Sequence, residues 1–182
     1  MKYSRWKSAL GTVAITALMA SASAEQSAEH SPYAGQHHAA IKALGADEQA
    51  ALLAGQGMGF AKAAELNGYP GPMHVLQLAD ALELTAEQKR DSKALFERMR
   101  AAAQIAGASL IEEERTLDRL YASKAATREA VDAQLTRIEA VRARLRGVHL
   151  HAHLEQAALL TPAQIQRYAE SRGYGPVRHG SH

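Results

Sequence analysis

Two long stretches of the chain carry apolar residues at spacings of three and four, and a short polar connection separates them. The first covers about residues 85–121 and the second about residues 128–159. This spacing places the apolar side chains on one face of an α-helix, and the short connection at residues 122–126 forces two such helices to lie antiparallel. No strand pattern is found, so the sequence predicts an all-α fold built on a long antiparallel helical hairpin. The inward-facing residues of its second helix are expected to be Val131, Leu135, Ile138, Val141, Leu145, Val148 and Ala152.

Shorter helical segments flank the predicted hairpin. A short helix is expected before it, over residues 73–84, and another after it, over residues 161–171. Further upstream the pattern is helical with a break at Gly45–Ala46, and it stops at Asn67–Gly68, which tolerate the left-handed conformation that ends helices. Gly55 and Gly59 form a GxxxG pattern that predicts close helix packing. Because so thin a hairpin exposes part of its apolar seam, a homodimer is expected.

The first 24 residues have the features of a cleaved signal peptide. Lys2, Arg5 and Lys7 precede a short apolar run, and Ala22-Ser23-Ala24 supplies the cleavage pattern. The apolar run is shorter than the roughly 20 residues of a transmembrane helix, so export to the periplasm is expected. The expected organisation is a signal peptide, a flexible lead-in, an N-terminal helical extension, a hairpin domain and a flexible tail, over residues 1–24, 25–36, 37–68, 69–172 and 173–182.

The composition excludes several classes of function. The leader holds three of the 21 Lys and Arg residues and none of the 19 Asp and Glu residues, so the net charge of +2 becomes −1 beyond residue 24. This balance argues against a nucleic-acid partner. The chain has no cysteine, and it contains neither a G-x-S-x-G nor an HExxH motif. We therefore expect a protein that works by binding, without enzymatic activity and without a required cofactor.

The pattern Leu-Thr-x-x-Gln occurs twice. In each copy the threonine can cap a helix and the glutamine can complete a capping box, so the start of a helix accounts for these residues without any ligand. Two such motifs around a helical hairpin, behind a signal peptide, resemble the Spy/CpxP family over roughly residues 70–172. The motif residues are Leu84, Thr85 and Gln88 in the first copy and Leu160, Thr161 and Gln164 in the second.

This resemblance implies a periplasmic, often homodimeric, ATP-independent chaperone, stress-signalling modulator or metal sensor. The leading expectation is an envelope-stress protein that binds misfolded proteins or a membrane-anchored signalling partner. Long basic side chains beside small apolar ones could hold such clients, which makes Arg137, Arg142 and Arg146 the candidates. The alternative for each arginine is a solvated helix surface that nearby acidic residues balance.

Histidines point to the alternative function, a heavy-metal sensor or metal-binding resistance protein. His149 and His153 lie four residues apart and share one helix face, so they could chelate a metal ion together, whereas His151 points elsewhere. Counting back from the hairpin turn places Glu97 and Met99 opposite them.

His74, on the preceding short helix, is a further candidate ligand. This set suits zinc, nickel, cobalt or copper, and its position resembles that in the metal-responsive relatives. Those relatives carry a second histidine on the earlier helix where this chain has Leu78. The alternative is that His149 flanks the packed seam while the imidazoles at positions 151 and 153 are solvated.

Overall fold

The computed structural model describes residues 31–174. The predicted signal peptide, most of the lead-in and most of the tail lie outside these residues. The chain divides into a unit that ends at Ala34 and a compact unit that begins at Gly35. In the first unit, residues 31–34 form a turn in which the Ala34 amide donates to the Ser31 carbonyl oxygen at 2.8 Å. All the helices found within residues 31–174 belong to the second unit.

Every regular element in residues 31–174 is helical, and two long helices dominate. The longest, α4 (Ala86–Ala122) and α5 (Arg128–Ala158), pack along each other as a hairpin, and shorter helices flank it. This confirms the predicted all-α class and its central hairpin. None of the described helices is long and apolar enough to cross a bilayer. In chain order the elements are a 3-10 helix (Gln36–His38), α1 (Ala46–Leu53), α2 (Lys62–Glu65), α3 (Pro72–Gln77), α4 (Ala86–Ala122), α5 (Arg128–Ala158) and α6 (Pro162–Ser171).

Two buried glutamines set the register of the hairpin. Near its turn, Gln134 Nε2 donates to the Glu113 carbonyl oxygen at 2.8 Å, and toward its open end Gln156 Nε2 donates to Ser92 Oγ at 3.0 Å. Because both Nε2 groups find acceptors, the two glutamines can occupy the inward face of α5. The prediction that Leu135 faces inward is wrong, since that side chain is 43% exposed and Gln134 is buried beside it.

The apolar residues form two separate cores. The first joins the segment before and within α1 to the middle of the hairpin, and the second joins α3 and α6 to the hairpin's open end. Between them along α4 and α5 lies a stretch that contains the polar pair Ser92 and Gln156 and the buried His149. The first core comprises Ile41, Leu44, Leu52, Ala103, Ala106, Leu110, Ile111, Ile138, Val141 and Leu145. The second comprises Val75, Leu82, Leu84, Leu160 and Tyr168.

The N-terminal extension is less helical than its pattern predicts. Helix α1 begins at the expected break, but residues 54–61 then form an irregular loop before α2. Gly55, Met58 and Gly59 have φ angles of 69°, 43° and 81°, which an α-helix does not accept. The GxxxG pattern therefore lies in a loop rather than in a helix. Close packing is nevertheless present, because a Cβ atom on Gly55 would lie 2.8 Å from the Arg100 carbonyl oxygen.

The helix before the hairpin is also shorter than predicted. Helix α3 ends at Gln77, and turns lead from there to Leu84. Glu83 adopts a left-handed conformation with a φ of 51°. This reversal lets Leu82 and Leu84 both bury their side chains in the second core, so tertiary packing overrides the helical periodicity of the segment.

Both Leu-Thr-x-x-Gln motifs form the capping boxes that the sequence predicts. Thr85 Oγ1 accepts from the Gln88 amide, and the Gln88 side chain accepts from the Thr85 amide, both at 3.1 Å. Thr161 and Gln164 repeat the arrangement at 3.3 and 2.9 Å. Each box satisfies backbone donors that the first turn of a helix leaves unpaired.

The two motifs also bind each other. The side-chain amides of Gln88 and Gln164 exchange hydrogen bonds of 2.9 Å in both directions. Gln88 Nε2 also reaches the Leu159 carbonyl oxygen at 2.9 Å, and Gln164 Nε2 reaches that of Leu82 at 3.2 Å. The glutamines therefore tie the start of α4 to the start of α6, which capping alone does not require.

Loss of a capping hydroxyl should destabilise the protein without affecting what it binds. For Thr161→Ala we expect the free energy of unfolding to fall by about 0.5–2 kcal/mol, measured by urea denaturation. Thr136→Ala is the matched control, because the Thr136 hydroxyl donates to the Asp132 carbonyl oxygen within α5 and caps no helix. Equal stability of the two variants would contradict the capping role.

Candidate functional site

A cavity of about 600 Å³ opens between the two cores, and we call it the His–Met cavity. The loop after α1, the start of α3 and one face each of α4 and α5 surround it. Four of the five predicted metal ligands line this one cavity. Its lining residues are Ala54, Gly55, Gln56, Gly57, Met58, Gly71, Pro72, Met73, His74, Phe96, Met99, Arg100, His149 and His153.

The fifth predicted ligand, Glu97, lies elsewhere. Its side chain is exposed on α4 and does not line the cavity, whereas its neighbour Phe96 does. The hairpin register explains the difference, because only one face of α4 turns toward the cavity. Leu78, which stands one turn after His74, packs against the second core.

His149 is buried and incompletely paired. It is 3% exposed, and its ring stacks on Phe60 with the ring centroids 5.9 Å apart. The Nε2 atom is buried and has no hydrogen-bond partner in the described part of the chain. Burial, with a smaller contribution from His153, lowers the pKa of this imidazole from 6.5. A neutral imidazole with an unpartnered nitrogen is the form that binds a metal ion.

His153 is held in place by the turn before α3. Its Nδ1 atom lies 2.7 Å from the Tyr69 carbonyl oxygen, and a Cβ atom on Gly71 would lie 2.9 Å from both Cε1 and Nε2 of the ring. An imidazole that donates to a carbonyl from Nδ1 keeps its lone pair on Nε2. His153 is therefore packed rather than solvated, and only His151 is exposed as expected.

Glu65 connects this cavity to α6 and was missed by the sequence reasoning. Its Oε1 atom accepts a hydrogen bond of 2.6 Å from the Tyr168 hydroxyl and lies 3.7 Å from His74 Nδ1. Its Oε2 atom, which is buried without a hydrogen bond, lies 3.7 Å from His153 Nδ1. Arg172 Nε is 3.5 Å from the same carboxylate. Burial, followed by the bond to Glu65, raises the pKa of Tyr168, so this hydroxyl stays protonated.

Two cavity methionines were also missed. Met58 stands on the loop after α1, whose path the periodicity of the sequence does not predict, and Met73 stands on α3 next to His74. A simple count could have drawn attention to them, because the chain beyond residue 24 contains only these two methionines and Met99.

The cavity does not hold a ready-made cluster of the most common metal ligands. Within residues 31–174, no three His, Cys, Asp or Glu side chains are grouped closely enough to hold a metal ion together. The arrangement offers imidazoles and thioethers around an open space instead. A metal ion bound here would have to use both kinds of donor or draw the imidazoles closer together.

The three candidate client-binding arginines differ in their environments. Arg142 Nη2 forms a 2.9 Å ion pair with the buried Glu114, and Arg137 Nη2 donates to Gln134 Oε1 at 2.7 Å. Arg146 forms no ion pair or hydrogen bond in the described chain and lines a shallow cavity of about 410 Å³. Two of the three side chains therefore serve the hairpin itself.

Comparison of this chain with protein-family models, with curated proteins and with solved structures finds no match. The resemblance to the Spy/CpxP family thus stays a prediction that rests on the two capping motifs. A helical hairpin can serve many functions, so the function has to be inferred from the residues that line the cavity.

The lowered pKa of His149 should make stability depend on pH. Because the folded-state pKa lies below 6.5, the unfolded chain takes up a proton first as the pH falls. The free energy of unfolding should therefore be constant well above pH 6.5 and should decrease as the pH drops below it. Urea denaturation between pH 5 and 8 (roughly the range in which histidine titrates) measures this slope.

His149→Gln should remove part of that slope. His151→Gln, which replaces an exposed imidazole on the same helix, should leave the slope unchanged. Identical slopes in wild type and in both variants would contradict a buried neutral His149.

Proposed function

We propose that this chain is an exported metal-binding protein of Spy/CpxP type, which senses or sequesters a transition-metal ion in the His–Met cavity. The observation that carries the proposal is the convergence of His74, His149, His153 and Met99 on one cavity from three different helices. Spacing along α5 brings only two of these residues together, and the fold supplies the others.

The electrostatics of the cavity favour metal binding at neutral pH. Burial is the main cause that lowers the pKa of both His74 and His149 from 6.5, and the charge of Arg172 adds to it at His74. Protons therefore compete with a metal ion for these nitrogens only at a pH below the usual histidine range. Affinity should persist to a lower pH than that of a site built from exposed histidines.

The groups that contact the candidate histidine ligands also support a metal-binding role. Tyr69 and Glu65 contact Nδ1 of His153, and Glu65 also lies beside Nδ1 of His74. Carbonyl and carboxylate partners of this kind orient histidine ligands and increase their basicity in metalloproteins. The region around the cavity thus holds the supporting groups as well as the candidate ligands.

A titration of zinc, nickel, cobalt and copper ions into the chain beyond residue 24 tests the proposal. We expect one ion per chain for the preferred metal, measured by calorimetry. Loss of an outer-sphere partner costs about 10–100-fold in metal affinity, so His149→Gln and His153→Gln should each weaken binding by at least about tenfold. His151→Gln is the matched control and should bind as the wild type does. Weak and equal binding by all four proteins would rule out the site.

Export is part of the same proposal and rests on the leader. The basic start, the short apolar run and Ala22-Ser23-Ala24 favour cleavage before Glu25. A homodimer and a membrane-anchored signalling partner stay predictions.

A second candidate, an ATP-independent chaperone, is favoured by one surface feature. Arg146, which forms no ion pair or hydrogen bond within residues 31–174, lines its shallow cavity together with Phe60 and Met58, so a positive charge lies beside apolar side chains. Partly unfolded chains offer acidic and apolar groups that such a surface can bind.

Aggregation of a heat-denatured client, followed by light scattering without ATP, tests this candidate. The wild type should suppress aggregation, and Arg146→Gln should suppress it less. Arg144→Gln is the matched control, because Arg144 is exposed on the same helix and does not line the shallow cavity. Failure of the wild type to suppress aggregation would remove the chaperone candidate and leave the metal proposal intact.

A further inference from the structure

All three methionines of the chain beyond residue 24 line the His–Met cavity. Met1 and Met19 belong to the predicted leader, and Met58, Met73 and Met99 are the others. They come from the loop after α1, from α3 and from α4, so their convergence is a product of the fold rather than of sequence spacing.

Core packing does not explain these positions. Methionine in a protein interior fills irregular gaps, but Met58 and Met73 are 41% and 44% exposed. Neither belongs to the buried residues of the two cores. An exposed thioether at the mouth of a cavity gains little from burial, so a different use of the sulfur atom has to be considered.

The charges that line the His–Met cavity limit which kind of metal ion it can bind. Its lining contains no Asp or Glu side chain, and it includes one cation, Arg100. Glu65, whose carboxylate lies 3.7 Å from His74 and from His153, already contacts Arg172 and Tyr168. Thioethers and imidazoles are neutral donors, so beside the positive charge of Arg100 they do little to neutralise the charge of a divalent ion. Thioethers are also soft ligands, which favour Cu(I).

We infer that the cavity selects a soft monovalent metal ion, Cu(I), through the thioethers of Met58, Met73 and Met99 and the unpartnered imidazole nitrogen of His149. This inference rests on the proposed metal-binding function and names the ion. His149 Nε2 is the independent observation, because it is a buried polar atom without a hydrogen-bond partner in the described chain, on a residue only 3% exposed. The ion binds as Cu(I), so no electron transfer is involved.

The experiment compares Cu(I) with divalent ions on the same protein. Cu(I) is supplied without oxygen from a coloured Cu(I) chelator, and Ag(I) serves as a redox-inert probe of the same softness. We expect the wild type to take one Cu(I) from the chelator and to bind Ag(I) more tightly than zinc or nickel. Each of Met58→Leu, Met73→Leu and Met99→Leu should lower the Cu(I) affinity by about tenfold or more, as loss of a supporting group does at other metal sites.

A spectroscopic measurement identifies the donors directly. The chain has no cysteine, so any sulfur scatterer at the copper K-edge must come from methionine. If a leucine variant folds poorly, replacement of all methionines by norleucine removes the sulfur while keeping the shape of the side chain. Sulfur scattering in the wild type that vanishes in the norleucine protein is the expected result.

The results that would contradict Cu(I) selectivity differ from those that would contradict metal binding altogether. Binding of zinc or nickel that depends on His149 and His153, with Cu(I) affinity unchanged in all three leucine variants, would overturn this inference and keep the proposed function. A copper spectrum that shows only nitrogen and oxygen scatterers would do the same. Absence of binding for every ion tested would overturn both.

Discussion

The paired side-chain amides of Gln88 and Gln164 hold the open end of the hairpin together, and the arrangement of the site depends on them. They fasten α6 to the start of α4. Helix α6 carries Tyr168, whose hydroxyl donates to Glu65, and Glu65 lies beside His74 and His153. The two Leu-Thr-x-x-Gln motifs, which cap helices, therefore also determine where Glu65 lies relative to the histidines of the candidate site.

The fold could be predicted to the extent that it follows from helical periodicity. The long helices, their connection and both capping boxes were predictable because spacing and capping chemistry act locally. The loop after α1 was not, since its left-handed residues interrupt a segment whose composition suits a helix. The inward face of α5 was also misjudged at Leu135, because a glutamine with good partners can replace a leucine in a seam.

The residues of the candidate site also divide into those that sequence spacing predicts and those that it does not. His149, His153 and Met99 could be assembled from spacing on two helices whose register follows from the turn between them. Met58, Met73 and Glu65 could not, because they stand on the loop after α1, on α3 and on α2, and no periodicity relates these short segments to the hairpin. The chain from that loop to α3 supplies two of the three thioethers and the carboxylate, so much of the chemistry depends on tertiary packing that spacing does not predict.

The division of the apolar residues into two cores has a consequence for motion. The second core contains five buried side chains, none of which belongs to the first core or lies in α4 or α5. Cooperative units of a protein open separately when few buried contacts join them. The open end of the hairpin, with α3 and α6, can therefore exchange its amide hydrogens in an opening that leaves the first core intact. Such an opening would move Met73 and His74 of α3 away from the α4 and α5 residues that line the His–Met cavity, giving an ion a wider entrance to it.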